Sequence, residues 1–247
     1  MFNILQNLRF WVITSLFCLT ITWSFPIQAN INIDSKLEQQ VLEIIRQNPK
    51  AIIESVQIYQ QEEEEKVKKQ RQSFLDDFRR DPQRIIGNSP TSGAKQSKTV
   101  LLEFSDFECP YCGEAQKTLK NLLEKYGDKF TLVYKNFPLY QIHPQALPAA
   151  KAAYAAQKQG KFWEYHDALF TNQKKLSEGL YLEVAENLDL DLEQFQRDRN
   201  LADAAIQKDL ELANKIGLSG TPSFIISGEN IIGPVNLSEI ENILAVE

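Results

Sequence analysis

Residues 99–116 read Thr-Val-Leu-Leu-Glu-Phe-Ser-Asp-Phe-Glu-Cys-Pro-Tyr-Cys-Gly-Glu-Ala-Gln, and no other stretch restricts the fold as much. Val100 to Phe104 is a short apolar run that predicts a buried strand. A brief polar turn follows. Cys109 and Cys112 then open a helix whose apolar positions, Ala115, Leu119, Leu122 and Tyr126, recur at spacings of four, three and four. The first thiol therefore sits where a strand delivers the chain to a helix N-terminus. Unpaired N–H groups and the positive dipole end favour a thiolate over a thiol there. Two cysteines separated by two residues bring their sulfurs close enough to form or break a disulfide without moving the backbone. That pattern points to redox chemistry.

The cysteine count depends on the first 29 residues. Arg9 is the only charge there, and it precedes an apolar stretch from Phe10 to Trp23. Pro26-Ile27-Gln28-Ala29 then offers a small residue at a cleavage point. Residues 1–29 are expected to be a secretory signal. The alternative is an uncleaved anchor, but the apolar stretch is shorter than the ~20 residues a spanning helix needs. Cys18 lies inside this segment, and Ser15-Leu16-Phe17 before it lacks the small residue that lipid attachment would want. Cleavage leaves Cys109 and Cys112 as the only thiols of an exported chain. Such a protein is not a disulfide-stapled scaffold. A bridge closing so short a loop stabilises by only about 2 kcal/mol in the chain-entropy treatment. Structural zinc wants four ligands, and the two histidines, His143 and His166, show no paired spacing, so no metal and no cofactor is expected. A net charge of −6 argues against nucleic acid as a partner.

Between the signal and the cysteines the pattern is helical. Ser35-Lys-Leu-Glu38 has the form of a capping box with serine at the N-cap. Leu37, Val41, Ile44 and Ile45 make one stripe, Asn48-Pro49 breaks the helix, and Ile52, Ile53, Val56 and Tyr59 continue an apolar face. In the run Glu62 to Lys69, Glu62 with Lys66, Glu64 with Lys68 and Glu65 with Lys69 are spaced for i,i+4 pairs on a solvated face. Phe74, Leu75 and Phe78 close the helix ahead of Asp81-Pro82. Residues 30–86 are thus expected to form a helical arm. Its segment 35–80 has no core of its own, so it packs on the catalytic domain or on another copy of the chain. Gly87 to Lys98 reads as a turn or flexible segment.

After the cysteine helix, Phe130 to Lys135 reads as a strand ended by Pro138, and His143 to Gly217 is helical throughout. The Ala-rich 146–157 predicts a packing helix. The aromatic face Phe162-Trp163-Tyr165-His166-Leu169-Phe170 reads as core, with His166 a packing residue and His143 a loop or helix-start residue, neither of them catalytic. Ser219-Gly220-Thr221-Pro222-Ser223 leads into the strand Phe224–Ser227, Gly228-Glu229-Asn230 turns it, Ile231-Ile232 returns as a hairpin, and Leu237 to Leu244 is a closing helix. Proline just ahead of a central strand is unexpected, and a cis Thr221–Pro222 bond in a tight turn accounts for it.

Taken together these elements resemble the thioredoxin superfamily, and residues 85–247 resemble its DsbA-like branch of secreted thiol–disulfide oxidoreductases. Leu102 to Cys112 looks like that branch's active-site signature, and Gly220-Thr221-Pro222-Ser223-Phe224 like its cis-proline loop. Asn136 to Leu139 and Gly160 to His166 are similar to recurrent stretches of it. The arm, with its Asn-Pro break, resembles more loosely the N-terminal segment of suppressor-of-copper-sensitivity-type members, which oligomerise through it. The resemblance implies an α/β thioredoxin-like fold for residues 87–247, with a helical insertion at about 140–217. It implies Cys109 as the attacking, exposed sulfur and Cys112 as the resolving thiol. Pro110 and Tyr111 tune the potential, while Thr221 and Pro222 contact an extended substrate. Glu103 matches a buried carboxylate that carries protons beneath the second cysteine; the alternative is an exposed strand-end carboxylate. Asp106 and Glu108 depart from the more neutral flanks of strong oxidases, and their charge is expected to disfavour a thiolate and make the disulfide less oxidising.

The implied function is disulfide formation or exchange in exported polypeptides, in the periplasm or outside the cell, with recharging by a membrane partner of the DsbB-like or vitamin K epoxide reductase-like type. An oligomeric isomerase or reductase held through residues 35–80 is the runner-up, and a non-enzymatic dithiol copper chaperone a third reading.

Overall fold

The computed structural model describes residues 34–95, 97–227, 232–233 and 237–246. The expected signal and the hairpin turn at residues 228–231 lie outside the described residues. The chain divides into two compact units, residues 1–58 and residues 59–247.

The described part of the first unit is helical. Helix α1 (Ser35–Gln47) is followed, after Asn48, by α2 (Pro49–Arg80), which runs on into the second unit. The break expected at Asn48-Pro49 is present. Asn48 caps α1, with its backbone N–H donating to the carbonyls of Ile44 and Ile45. The N-cap, however, is Asp34 rather than Ser35: its carboxylate accepts from the Lys36 N–H at 3.0 Å. A carboxylate at this position also suits the helix dipole. Every residue from 34 to 58 is exposed, including Leu37, Ile44, Ile53 and Val56.

The second unit is built on a five-stranded sheet of order β1-β3-β2-β4-β5, comprising β1 (Thr91–Gly93), β2 (Thr99–Ser105), β3 (Phe130–Asn136), β4 (Ser223–Ile226) and β5 (Ile232–Gly233). Strands β2 and β3 are parallel and joined through α4 (Pro110–Tyr126); the other pairings are antiparallel. Strand β2 is buried along its whole length, as its unbroken apolar run requires of a strand covered on both faces. Leu101 sits opposite Leu132 and Glu103 opposite Tyr134, so these side chains share one face. Leu101, Leu132, Phe224 and Ile226 on that face pack against Leu119 and Leu122 of α4 and Ile240 and Leu244 of α10 (Leu237–Val246).

The opposite face holds the main departure from expectation. Val100, Leu102, Phe104, Val133 and Ile225 pack there with Phe74, Leu75 and Phe78 of α2. The second half of the expected arm is therefore core of the second unit, which begins at Tyr59, upstream of the expected domain start near Gly87. Arg71 Nε donates to the Ile216 carbonyl at 3.1 Å. Gly217 has φ +71°, and a Cβ on it would stand 2.5 Å from Val67 Cγ1, so only glycine allows α2 to approach this turn. The segment 87–98 is not a free hinge either. Its Thr91-Ser-Gly93 is an edge strand paired with β3, following the short helix α3 (Pro82–Ile86). In the acidic-basic run, the ion pairs formed are the i,i+3 contacts Glu63–Lys66 and Glu65–Lys68, not the i,i+4 set. All four side chains are largely exposed, so these pairs contribute little.

Between β3 and β4 lie α5 (Ala146–Lys158), α6 (Phe162–Thr171), α7 (Glu178–Asn187), α8 (Leu192–Leu201) and α9 (Asp203–Lys215), as the helical pattern predicts. The buried alanines of α5 let α6 and α8 approach closely, around a core that includes Tyr165, Tyr181 and Phe195. This inserted block meets the sheet through Phe107 and Tyr134.

Candidate active site

Cys109 is the N-cap of α4, with Pro110 at the first helical position, where a missing N–H costs nothing. Its N–H donates to the Asp106 carbonyl at 3.1 Å, and its own carbonyl accepts from the N–H groups of Cys112 and Gly113 at 3.1 and 3.2 Å. Gln173, on the short turn after α6, fixes the same carbonyl from outside by donating at 2.8 Å. A Cβ on Gly113 would stand 2.8 Å from the Gln173 amide oxygen, so that brace depends on glycine. Sequence reasoning missed Gln173, since nothing local marks it.

Both described cysteines are free thiols. The structure brings the expected Thr221–Pro222 turn to the cysteines. The Thr221–Pro222 bond is cis, and the Thr221 carbonyl lies 3.4 Å from Cys109 Sγ. Pro110 and Tyr111 are exposed beside the pair, Tyr111 at 71%. The expected exposed sulfur is more covered than the motif suggests: Cys109 retains 4% of its surface and Cys112 none. The ranking nevertheless holds, because an incoming sulfur has access to Cys109 alone.

The two thiols are electrostatically unlike. Cys109 is lowered to about 5, first by the hydrogen bond it receives from the Cys112 thiol, then by the Thr221 side chain and the backbone N–H groups of Cys112 and Tyr111, against the opposing effect of burial. Cys112 is pushed far above its ordinary value, mainly by burial and then by donating to Cys109. The sign for stability follows from the direction. A lowered acid group stabilises the folded, reduced protein above the unfolded thiol's value, and that stabilisation is lost as pH falls toward about 5. Thiolate absorbance of the reduced protein should accordingly titrate in a single step near pH 5, and a midpoint above 8 would contradict this environment.

The negative flanks do not act as expected. The Asp106 carboxylate accepts from the Glu108 N–H at 2.8 Å and the Leu139 N–H at 2.9 Å, and it contacts His143 Nδ1 at 2.8 Å. The Glu108 carboxylate accepts from the Gln145 N–H. Both are committed to donors of the 139–145 loop, and the thiolate is stabilised despite them. His143 thus belongs to the scaffold of the site rather than to an indifferent loop. That loop also presents Tyr140 and Ile142 to solvent at 53% and 70%.

Glu103 is fully buried on β2 and bonded to Gln116, one turn along α4 from Cys112, not an exposed strand end. Its Oε1 accepts from Gln116 Nε2 at 2.9 Å, and its Oε2 has no hydrogen-bond partner. Desolvation raises its carboxyl to about 7, against the lowering influence of Ser105 and Gln116. A carboxyl poised there can both give and take a proton near neutral pH. The Asp106 N–H points at Cys112 Sγ from 3.5 Å. No cluster of three metal-ligating side chains occurs among the described residues, and no described helix is long and apolar enough to cross a membrane.

A family profile described as Thioredoxin matches residues 86–245. A thioredoxin-like oxidoreductase from Silicibacter pomeroyi has a similar structure, with TM-score 0.58 and 33% identity, covering 65% of this chain and 92% of that one. The catalytic domain of Proteus mirabilis ScsC is similar at TM-score 0.58 and 25% identity over 70% of this chain and 97% of that one. ScsC in a transitional conformation is similar in fold over 88% of this chain and 98% of its own, at TM-score 0.58 and 23% identity. Among curated proteins, a Na(+)/H(+) antiporter NhaA 3 of Salinispora tropica is 40% identical over 152 residues, which is 60% of this chain but 23% of that protein. The chain thus spans less than a quarter of the length of such curated relatives. With its Cys-Pro-Tyr-Cys helix, buried glutamate and cis-proline turn on this sheet, the chain belongs to the thioredoxin family and resembles its DsbA-like members.

Proposed function

We propose that this protein is an exported thiol–disulfide oxidoreductase that forms or exchanges disulfides in exported polypeptides through Cys109 and Cys112. One observation carries the reading: Cys109 caps a helix N-terminus beside the Thr221 carbonyl while Cys112 is wholly covered, an arrangement that favours the thiolate at the first and the thiol at the second. A stabilised thiolate favours the reduced enzyme and makes the disulfide a better oxidant. The substrate's thiolate attacks Cys109 Sγ, the Cys109–Cys112 bond breaks, and Cys112 leaves as a thiolate that takes a proton from Glu103. A second substrate thiolate then displaces Cys109, releasing an oxidised substrate and a reduced enzyme. Exposed Tyr111, Tyr140 and Ile142 suit an unfolded chain with apolar side chains, and the cis-proline turn offers it an extended backbone.

The apolar stretch and small-residue site within residues 1–29 support export to the periplasm or beyond. Reoxidation would then fall to a membrane partner of the DsbB-like or vitamin K epoxide reductase-like type. A second reading, oligomeric isomerase or reductase, is favoured by one feature: the exposed apolar stripe of residues 35–58. The decisive experiment mixes the oxidised protein with a reduced, unfolded dithiol polypeptide. Rapid stoichiometric transfer of the disulfide, much faster than from the same concentration of oxidised glutathione, is expected. Transfer no faster than glutathione's would overturn the reading.

A further inference from the structure

The turn that carries Cys109 is gripped from the inserted helices at two levels. The ring of Phe107, two residues before the cysteine, lies 5.1 Å from that of Phe170 on α6, centroid to centroid. Three residues on from Phe170, Gln173 reaches the main chain of the same turn. Its amide nitrogen donates to the Phe107 carbonyl at 2.9 Å and to the Cys109 carbonyl at 2.8 Å. One planar amide thus holds the peptide unit before Glu108 and the peptide unit after Cys109. Gln173 is itself presented from a hydrogen-bonded helix end. Asn172 closes α6, with its side-chain amide donating to the Ala168 carbonyl at 3.0 Å. The short helix Gln173–Lys175 follows, with the Lys175 N–H on the Asn172 carbonyl at 2.7 Å.

Hydrogen-bond satisfaction alone does not account for this contact. The Cys109 carbonyl already accepts from the N–H groups of Cys112 and Gly113, at 3.1 and 3.2 Å. A third donor adds direction rather than a missing partner. Pro110 has no N–H, so the peptide unit between Cys109 and Pro110 can be fixed through its carbonyl alone. Rotation of that unit about the Cys109 backbone moves the sulfur relative to the helix end. After the Cys112 thiol, the groups that favour the Cys109 thiolate are the Thr221 turn and the N–H groups of Cys112 and Tyr111. All of them act only when the sulfur faces them.

We propose that Gln173 is a positioning residue for the chemistry of Cys109: by holding the peptide units on either side of Glu108 and Cys109, it aims Cys109 Sγ at the first N–H groups of α4 and at the Thr221 turn. The proposal rests on the thiol–disulfide reading above. No bond is made or broken at Gln173, which acts through Cys109. Without it the sulfur turns partly away from these groups and the thiolate is less favoured. The reduced protein then loses stability relative to the disulfide, and the disulfide becomes a weaker oxidant.

Gln173→Met keeps the length of the side chain and removes both N–H groups. Thiolate absorbance of the reduced variant should titrate about one pH unit higher than in the unsubstituted protein, a tenfold loss in the thiolate equilibrium. The redox equilibrium with glutathione at pH 7 should move by about the same factor toward the disulfide, or roughly 30 mV. Gly113→Ala approaches the same contact from α4. Its Cβ would stand 2.8 Å from the Gln173 amide oxygen and push the amide aside, although alanine is otherwise the better helix residue. It should raise the titration midpoint too, and should add nothing in Gln173→Ala, where no amide stands against the new methyl group. An unchanged midpoint and potential in Gln173→Met overturn the proposal. So does an equal shift from Gly113→Ala with and without the Gln173 side chain, which would mean that the helix end itself is disturbed. If Gln173→Met does not fold, Gly113→Ala decides, and an unchanged midpoint there overturns the proposal as well. An unsubstituted protein that exchanges no disulfide would instead sink the functional reading. The titration is read without substrate, so the two failures are distinguishable.

Discussion

Cys112→Ser is expected to accumulate covalent complexes with its substrates, and Cys109→Ser to lose disulfide exchange altogether. With its thiol held at about 5, Cys109 is overwhelmingly anionic at pH 7, roughly a hundredfold in favour of the thiolate. It attacks a substrate disulfide, or is attacked when oxidised. In either case the bond to substrate is made at the one sulfur with access. The complex is normally resolved by Cys112, from beneath. Serine at 112 cannot do this, so the complex persists and should survive non-reducing electrophoresis. The reverse substitution leaves a thiol that is both fully covered and pushed far above its ordinary value. Such a group supplies almost no thiolate at neutral pH, and exchange should fall to the uncatalysed rate. Equal trapping by the two variants would show that the sulfurs are equivalent and that the helix terminus does not set the roles.

What the sequence disclosed of this site is instructive. The strand–cysteine–helix unit and the Thr-Pro turn are legible because each rests on local chemistry: an apolar run, a helix terminus, a proline where no ladder donor is available. Glu103 was legible from its position ahead of Cys109. Gln173 and His143 were not, because their roles arise from contacts made across the fold. Gln173 meets Cys109 only once α6 is packed, and Asp106 reaches His143 only after β3 has returned the chain beside β2. The charge of Asp106 and Glu108 was read correctly but its effect was not, since the sequence does not show that N–H groups of the 139–145 loop occupy both carboxylates. Strand β1 escaped for a simpler reason. Thr-Ser-Gly carries no hydrophobic period, and its place in the sheet is set by backbone pairing with β3. The arm misled because an amphipathic stripe states that a face is buried but not against what. Phe74, Leu75 and Phe78 continue the apolar face of α2, yet they fill the core of the catalytic unit, while Leu37 to Val56 stay exposed.

That division leads to an expected result about where the chain can be cut. A version starting at Gly87 loses Phe74, Leu75 and Phe78, all buried, along with the Arg71 hydrogen bond to Ile216. Removing each large core side chain costs about 2–5 kcal/mol, and three of them rival the roughly 5–15 kcal/mol that holds a whole domain together. This version should not fold. Phe78→Ala in the full-length protein, which removes one ring that is completely covered and stacked on Phe74 at 5.8 Å, should cost about 3–5 kcal/mol. A version starting at Tyr59 keeps all these contacts and should fold, with the redox chemistry of the longer protein intact. It lacks only the part in which every described residue is exposed. An apolar stripe of that length in water is an interface in search of a partner, and a second copy of the same stripe is a partner of matching chemistry. Light scattering should therefore find the chain starting at residue 30 to be a homo-oligomer at micromolar concentration and the Tyr59 version a monomer. If the two have the same mass, residues 34–58 hold no assembly and the isomerase reading loses its support. If the Gly87 version folds as stably as the Tyr59 version, the second half of α2 is not core, and the boundary lies where the sequence first suggested.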